Sequence, residues 1–125
     1  MTASARTALG AAGEQLAADY LTATGMVVLA RNWRASIGAL RGELDLVLSD
    51  AGTLVFCEVK ARRGRGAGDP LEAVTPKKVA QIRALASAYL AEASPGFRSV
   101  RIDAVGVCWP RGGGDPEIMH LRGVG

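Results

Sequence analysis

Apolar residues recur at helical spacing near the start of the chain. Over residues 5–24, Leu9, Leu16 and Leu21 return on one face, which predicts an amphipathic helix. Gly25 follows directly, and glycine commonly ends a helix because it adopts a left-handed conformation without strain. We therefore expect the first helix to end just before Gly25.

A second helical pattern begins at Thr75. Thr75 suits the N-cap position and Pro76 the first helical position, where the missing N–H group of proline costs nothing. Apolar residues then mark one face as far as about residue 93. The Ser94-Pro95-Gly96 segment is expected to end this helix.

Outside these helices the apolar residues fall into short runs that are typical of strands. Residues 49–52 are turn-forming and join two of the runs into a hairpin, whereas residues 35–42 and the basic, glycine-rich residues 62–69 are expected to be loops. The predicted strands are residues 26–34, 43–48, 53–61, 100–109 and 118–121.

The predicted order is therefore helix, three strands, helix, strand, with a small strand appended, which is an α/β fold. The chain has 125 residues, a length that suits one domain with its own buried core. Since no internal repeat or shift of composition divides it, residues 1–125 are expected to form a single domain.

Composition narrows the compartment and the class of protein. Hydrophobic residues make up 49% of the chain and charged residues 22%, which is ordinary for a globular protein. No apolar run is long enough to span a membrane, and the first residues lack a secretory signal. Cys57 and Cys108 lie in separate apolar segments, which indicates buried thiols in a reducing compartment. These features predict a cytoplasmic protein with no membrane partner.

The chain carries a net charge of +3, and most of its basic residues are arginine. Arginine suits phosphate because its planar guanidinium group donates two parallel hydrogen bonds to one group. A genome rich in arginine codons would explain the same excess. The charge alone is therefore weak support for a nucleic-acid partner.

Asp45, Glu58 and Lys60 are the residues expected to carry chemistry. Residues two apart on a strand share a face, so Glu58 and Lys60 point the same way. In a hairpin closed at residues 49–52, Asp45 joins them on that face if it lies opposite Glu58 or opposite Phe56. A slip of one residue would separate the three side chains, but it would also invert the apolar alternation. The favoured register gathers two carboxylates and one ammonium group.

Such a patch fits phosphodiester hydrolysis. Paired carboxylates bind Mg²⁺ or Mn²⁺, such an ion lowers the pKa of a bound water, and a neighbouring lysine stabilises the transition state. The alternative is a solvated strand face with an ordinary Glu–Lys pair. Two features favour the site: the carboxylates lie in otherwise apolar strands, where unpaired charge is costly, and a basic segment follows them.

Further polar residues are placed to reach the same patch. Glu14 lies at the border of the apolar face of the first helix, although an acidic residue in the first half of a helix is common. Three arginines lie in the basic loop, and two polar residues lie near the inner edge of the second helix. The residues expected to bind the backbone of a nucleic acid are Arg62, Arg63, Arg65, Lys78 and Gln81.

A pattern spread over nearly the whole chain resembles the bacterial YraN-like family. Its most specific parts are the Glu-Leu-Asp segment at residues 43–45 and the Glu-Val-Lys segment at residues 58–60. The other matching residues are Gly13-Glu14, Tyr20-Leu21, Gly25, Arg31-Asn32-Trp33-Arg34, Lys78, Tyr89-Leu90 and Arg101-Ile102-Asp103. That family is assigned to the restriction-endonuclease-like PD-(D/E)xK superfamily and is most similar there to archaeal Holliday-junction resolvases.

The resemblance implies a restriction-endonuclease-like αβββαβ core, with a mixed sheet flanked by helices. Asp45, Glu58 and Lys60 would fill the catalytic motif positions of the superfamily, the two carboxylates as ligands of Mg²⁺ or Mn²⁺. Glu14 would match an acidic residue in the first helix of resolvase-like members. Two departures stand out: Leu44 occupies the place of the motif's proline, and the loop before it is a few residues longer than usual.

Three functions from different classes fit these residues. The leading one is a Mg²⁺- or Mn²⁺-dependent endonuclease acting on DNA, with branched or nicked DNA as candidate substrates and a homodimer as a compatible assembly. The second is a nucleic-acid-binding module that cuts nothing. The third is a protein-interaction factor with a residual acidic patch. The intact Asp, Glu and Lys set favours the first over the third, since a residual site would tend to lose members.

Overall fold

The structure is a computed structural model that describes residues 3–36, 38, 40–64, 69–93 and 96–125, with side chains from residue 7 onward. It contains two long helices, five strands and one short 3₁₀ helix. In chain order they are α1 (Ala3–Ala23), β1 (Val27–Trp33), β2 (Leu44–Asp50), β3 (Thr53–Arg63), the 3₁₀ helix (Pro70–Ala73), α2 (Pro76–Ala93), β4 (Ser99–Trp109) and β5 (Glu117–Leu121).

The five strands form one mixed sheet in the order β1-β2-β3-β4-β5. All neighbouring strands are antiparallel except β3 and β4, which run parallel. Parallel neighbours need a crossover, and the chain makes it through α2. The predicted α/β class is confirmed, and the arrangement is consistent with a restriction-endonuclease-like αβββαβ core.

The β2–β3 hairpin closes on a two-residue turn. Ala51 and Gly52 have φ angles of 49° and 91°, the left-handed pair that a type I′ hairpin turn requires. The predicted turn at residues 49–52 is therefore too long, because Asp50 already pairs with Thr53. A tight turn fixes the register of the whole hairpin, and the register in turn decides which side chains meet at its far end.

Both faces of the sheet are covered, so the core has two parts. On one face, Leu21 of α1 is packed in a buried cluster with Leu46 and Val55. On the other face, Ile82 of α2 is packed in a cluster with Phe56. Each such fully buried side chain contributes about 1.5–3 kcal/mol to the free energy of folding. None of the helices in the described part of the chain is long and apolar enough to cross a membrane.

The end of β3 corrects one prediction. Arg62 and Arg63 belong to β3, where they pair with β4, and not to a loop that starts at residue 62. Successive strand residues point to opposite faces, so the side chains of these two arginines leave β3 on opposite sides. Arg63 is exposed and Arg62 is half-buried. Arg65 lies outside the described residues, as do residues 37 and 39 of the first predicted loop and the predicted helix stop at residues 94–95.

Gly13 sets the distance between α1 and the sheet. A Cβ atom at this position would lie 2.7 Å from the Cβ of Ala61 on β3, closer than two carbon atoms can approach. A larger residue would therefore push α1 away from β3, and Glu14 would move with the helix. The helix brings Glu14 to the sheet because its neighbour in sequence has no side chain.

We expect Gly13→Ala to destabilise the protein by about 1–3 kcal/mol, as overpacking of a tight contact does. Gly10 is the matched control, because a Cβ atom there would meet nothing within 4 Å in the same helix. Gly10→Ala should be neutral or should stabilise by about 0.5–1 kcal/mol through helix propensity. Urea unfolding of both variants checks this, and equal effects at the two positions would contradict the close packing of α1.

Asp103 is fully buried and anchors the C-terminal segment. Its carboxylate accepts hydrogen bonds from Arg101, from the ring Nε2 of His120 at 2.8 Å and from the backbone N–H of Gly123 at 3.1 Å. Burial alone would raise the pKa of Asp103, but these hydrogen bonds outweigh it and lower the pKa. His120 is thus one of the groups that hold Asp103 in its charged form.

Removing this charge should be expensive. We expect Asp103→Asn to reduce the free energy of unfolding by about 1.5–3 kcal/mol, because it removes the charged acceptor shared by Arg101, His120 and the N–H of Gly123, although Arg101 keeps its ion pair with Asp50. Asp115→Asn, at an exposed position in the turn between β4 and β5, should change stability by no more than about 0.5 kcal/mol. Urea titration of both variants is the measurement, and similar midpoints for the two would show that the Asp103 network adds little.

Candidate functional site

The hairpin register brings Asp45 and Glu58 together at its open end. Leu46 pairs with Cys57, so continuing the register by one residue places Asp45 opposite Glu58. The two carboxyl groups are in hydrogen-bond contact, and Asp45 Oδ2 also accepts a hydrogen bond of 2.8 Å from the backbone N–H of Val59. The backbone of β3 therefore fixes the orientation of the Asp45 side chain.

Glu58 is almost fully buried, with 3% of its surface exposed, and two lysines flank it. Its Oε1 atom lies 3.4 Å from Nζ of Lys60, on the same face of β3, and 3.6 Å from Nζ of Lys78 on α2. A buried carboxylate needs such partners, because an unpaired charge away from water is strongly unfavourable. The sheet and α2 thus each supply one cation to the same oxygen.

Two further carboxylates, those of Glu14 and Glu43, lie close to Asp45. Glu14 of α1, Glu43 and Asp45 each present an oxygen atom, and these three atoms all lie within 4.8 Å of one another. All three residues are half-buried. Like charges held this close repel one another unless a proton or a cation lies between them.

Asn32 on β1 connects two of these carboxylates. With its amide nitrogen directed at them, it donates to Oε1 of Glu43 at 3.2 Å and to Oε2 of Glu14 at 3.1 Å. Asn32 has a φ of 49°, a left-handed conformation that asparagine tolerates better than most residues. With this backbone conformation, the side chain of Asn32 lies between Glu14 of α1 and Glu43 of the loop before β2.

Crowding of the carboxyl groups is visible in their proton affinities. Burial and then the nearby charge of Glu58 raise the pKa of Asp45 to about 8, and the hydrogen bond from Val59 only partly offsets this. Burial also raises the pKa of Glu14, with further contributions from Glu43 and Glu58 and an opposing one from Asn32. In the absence of a cation, the site therefore holds a proton near neutral pH.

Gln81 of α2 supports the loop that carries Glu43. Its amide nitrogen donates a hydrogen bond of 3.1 Å to the carbonyl oxygen of Arg41. The next residue, Gly42, has a φ of 92° and lies so close to Gln81 that a Cβ atom would collide with the amide. Gln81 thus lies beside the site, where its hydrogen bond goes to the protein backbone.

A cleft of about 520 Å³ opens next to these residues. Its lining consists of Ala73, Thr75, Lys77, Lys78 and Gln81. Thr75 caps α2, since its hydroxyl oxygen accepts a hydrogen bond of 3.2 Å from the N–H of Lys78. The cleft therefore presents positive charge immediately beside the buried end of Glu58.

The structure brings together Asp45, Glu58, Lys60, Glu14 and Lys78, which the sequence proposed for one patch. Sequence reasoning left Glu43 and Asn32 out of the candidate site residues. The sequence held a signal for each. Glu43 precedes Asp45 by two residues, a spacing that places two side chains on the same face of an extended chain. Asparagine is disfavoured within strands, so Asn32 in a predicted strand indicates a specific role for its side chain. The roles proposed for all these residues stay predictions.

Comparison with known proteins places this chain among close relatives. The family model described as "Uncharacterised protein family UPF0102" matches residues 13–107, which confirms the resemblance seen in the sequence. The UPF0102 protein of Acidothermus cellulolyticus is 48% identical over 133 residues, covering 98% of this chain and 97% of the relative. A UPF0102 protein of Mycolicibacterium smegmatis is 49% identical over 127 residues, covering 100% and 98%. One from Mycobacterium tuberculosis is 47% identical over 124 residues, covering 96% and 94%.

Proposed function

Because the chain belongs to the uncharacterised protein family UPF0102, and the names of its relatives state no activity, we propose a function from the geometry of its own site. We propose that it is a Mg²⁺- or Mn²⁺-dependent endonuclease that hydrolyses phosphodiester bonds in DNA, with branched or nicked DNA as the substrates to test first. The observation that supports this best is the meeting of four carboxyl groups with two lysines at the open end of the hairpin.

The donor set fits a hard divalent cation. Oxygen ligands from carboxylates are what Mg²⁺ and Mn²⁺ favour, and the carboxyl groups of this site outnumber its ammonium groups. The excess of negative charge raises the pKa of Asp45, a cost that a bound cation would remove. We propose Asp45 and Glu58 as ligands, with Glu14 and Glu43 completing the carboxylate set.

A divalent ion held there supplies charge neutralisation at the phosphate and a lowered pKa for a water molecule. The protein's own groups do the rest. Lys60 is held beside Glu58, where its ammonium group can donate a hydrogen bond to a phosphate oxygen as negative charge builds in the transition state. The N–H of Val59 keeps Asp45 oriented, and Asn32 keeps Glu14 and Glu43 oriented.

Calorimetric titration with Mn²⁺, followed by nicking of branched and supercoiled DNA, tests the proposal. We expect the wild type to bind Mn²⁺ and to cut DNA only when Mg²⁺ or Mn²⁺ is present. Exchanging two ligands in the Asp45→Asn, Glu58→Gln double variant should abolish both properties. Asp115→Asn, purified in parallel, is the control for removal of a carboxylate elsewhere.

The possible outcomes separate the three functions considered from the sequence. Metal-dependent cutting that the double variant loses supports the endonuclease. DNA binding by the wild type without any cutting would point to a silent binding module. If the wild type neither bound nor cut DNA, or if the double variant bound Mn²⁺ as the wild type does, the nuclease proposal would be wrong.

A further inference from the structure

Arg62 is the basic residue whose surroundings the fold does not explain. It follows Lys60 by two residues on β3, and the pairing of β3 with β4 is regular through both positions. Its Nε atom is buried and has no hydrogen-bond partner among the described residues. A buried donor without an acceptor costs about 1–3 kcal/mol, so such a group calls for a reason.

Arg62 has no carboxylate partner among the ion pairs of the described residues. All of the acidic residues lie in the described part of the chain, and none of the ion pairs found there includes Arg62. By contrast, Arg101 and Arg34 pair with acidic side chains. Arg62 therefore keeps its charge unmatched at a half-buried position on the face that carries Glu58 and Lys60.

The spacing of Glu58, Lys60 and Arg62 along β3 can be compared with the spacing of phosphates in a nucleic-acid strand. Two residues along a strand advance by about 6.6 Å, which is of the order of the distance between neighbouring phosphates in a nucleic-acid strand. A substrate strand laid along β3 with one phosphate at Lys60 would bring the next phosphate to Arg62. The guanidinium group suits this position, because it can bind two phosphate oxygens at once.

We infer that Arg62 binds the phosphate adjacent to the scissile one, and that Arg63 takes no part in this contact. The inference rests on the proposed function and gives it a direction, since the substrate strand would run along β3 away from the carboxylates. It also replaces the expectation that the neighbouring arginines act as one loop clamp. Arg63 points to the opposite face, which makes it a matched control of the same charge one residue away.

Inorganic phosphate is the first probe, used on the metal-free protein. We expect phosphate to raise the melting temperature of the wild type and of Arg63→Met by a few degrees, and to leave that of Arg62→Met unchanged. Arg62→Lys should respond weakly, because lysine keeps the charge but lacks the two-pronged geometry. Without phosphate, Arg62→Met should melt no lower than the wild type, since it removes a buried donor that has no partner.

A nicked DNA duplex is the second probe, with a neutral methylphosphonate placed in turn on each side of the scissile phosphate. At one of these two positions the modification should slow cutting by the wild type by about tenfold to a hundredfold, as loss of a charge-assisted hydrogen bond does. Arg62→Met should be slowed to a similar extent on unmodified DNA and should lose nothing further from the modification. In Arg63→Met the methylphosphonate should keep its full effect.

Failure of this inference and failure of the proposed function give different results. If Arg62→Met responds to phosphate as the wild type does, or loses further rate with the methylphosphonate, Arg62 is not the phosphate ligand. If phosphate acts through Arg62 but no DNA is bound or cut, the anion site stands and the nuclease proposal falls. A drop in the melting temperature of Arg62→Met without phosphate would assign the residue to the fold instead.

Discussion

Lys60→Ala should reduce the rate of metal-dependent DNA cutting by about a hundredfold to a thousandfold, which is the usual cost of removing one donor aimed at transition-state charge. DNA affinity should change little, because the ammonium group makes its strongest interaction only as charge develops on the phosphate. Single-turnover cutting of nicked DNA, measured beside binding in a chelating buffer, separates the two quantities. A variant that lost affinity and kept its rate would contradict this role.

The Lys78→Ala variant shows whether Lys60 acts on the phosphate or only neutralises Glu58, because Lys78 pairs with the same carboxylate. Its Nζ lies 3.6 Å from the same Glu58 oxygen that Lys60 approaches to 3.4 Å, so both lysines neutralise Glu58. Lys78→Ala should therefore slow cutting less, by about tenfold, because Glu58 keeps one ion pair. Lys77→Ala removes an exposed lysine from the same helix turn and should leave the rate unchanged. Equal losses at positions 60 and 78 would mean that both lysines act only by holding Glu58.

Both long helices could be predicted from the sequence because their signals are local. The N-cap at Thr75 and the glycine stop at Gly25 each depend on a few neighbouring residues, and the observed helices begin and end close to the predicted positions. The short 3₁₀ helix Pro70–Ala73 was missed, since four residues carry no measurable period. It packs on the sheet at Gly106, where a Cβ atom would come within 3.1 Å of Leu71.

The end of β3 could not be predicted, because its last residues are held by pairing with β4, which is distant in sequence. Arg62 and Arg63 are charged and precede glycines, which favours a loop, yet they pair with Cys108 and Trp109 of β4, far away in sequence. Pairing with a partner strand outweighs the weak preference of a charged residue for solvent. The corrected boundary places the side chains of the two arginines on opposite faces of β3, whereas their proposed binding of nucleic acid stays a prediction.

The candidate site could be predicted only as far as the register of the β2–β3 hairpin could be predicted. Residues 54–59 of β3 are buried without interruption, so alternation within that strand says nothing about its faces. The short turn and the composition of β2 supplied the register instead. Glu43 and Asn32 depend on the loop before β2 and on a left-handed residue in β1, neither of which the apolar pattern encodes.

The packing around Asp45 predicts how stability should vary with pH. Burial and Glu58 raise the pKa of Asp45 to about 8 in the folded protein, against 3.8 for the free side chain. Between these values the folded protein holds a proton that the unfolded chain has released, so stability should fall as the pH rises. Among the described residues, the charged groups close to Asp45 are Glu14 from α1, Glu43 from the loop and Glu58 from β3, and Lys60 and Lys78 pair with Glu58.

Asp45→Asn should remove most of this pH dependence. The asparagine oxygen can still accept the hydrogen bond from Val59, and its amide can donate to Glu58 as the protonated acid does. In a chelating buffer the wild type should be as stable as the variant only below about pH 4, where Asp45 is protonated in the folded and the unfolded chain alike. Between about pH 5 and pH 8 the wild type should lose up to about 4 kcal/mol relative to the variant, because one proton limits the slope to about 1.4 kcal/mol per pH unit.

Urea unfolding at several pH values measures this difference in stability. Repeating the measurement with Mn²⁺ tests whether a cation can replace the proton on Asp45. A cation that takes the place of the proton should stabilise the wild type most strongly at the higher pH, where Asp45 is already ionised. The same addition should do much less for Asp45→Asn, which lacks the charge, while Asp115→Asn should follow the wild type. Parallel stability curves for wild type and Asp45→Asn would show that Asp45 is ionised throughout. The half-buried carboxylates of Glu14, Glu43 and Asp45 would then tolerate their own charge, and their proton affinity would no longer favour a cation between them.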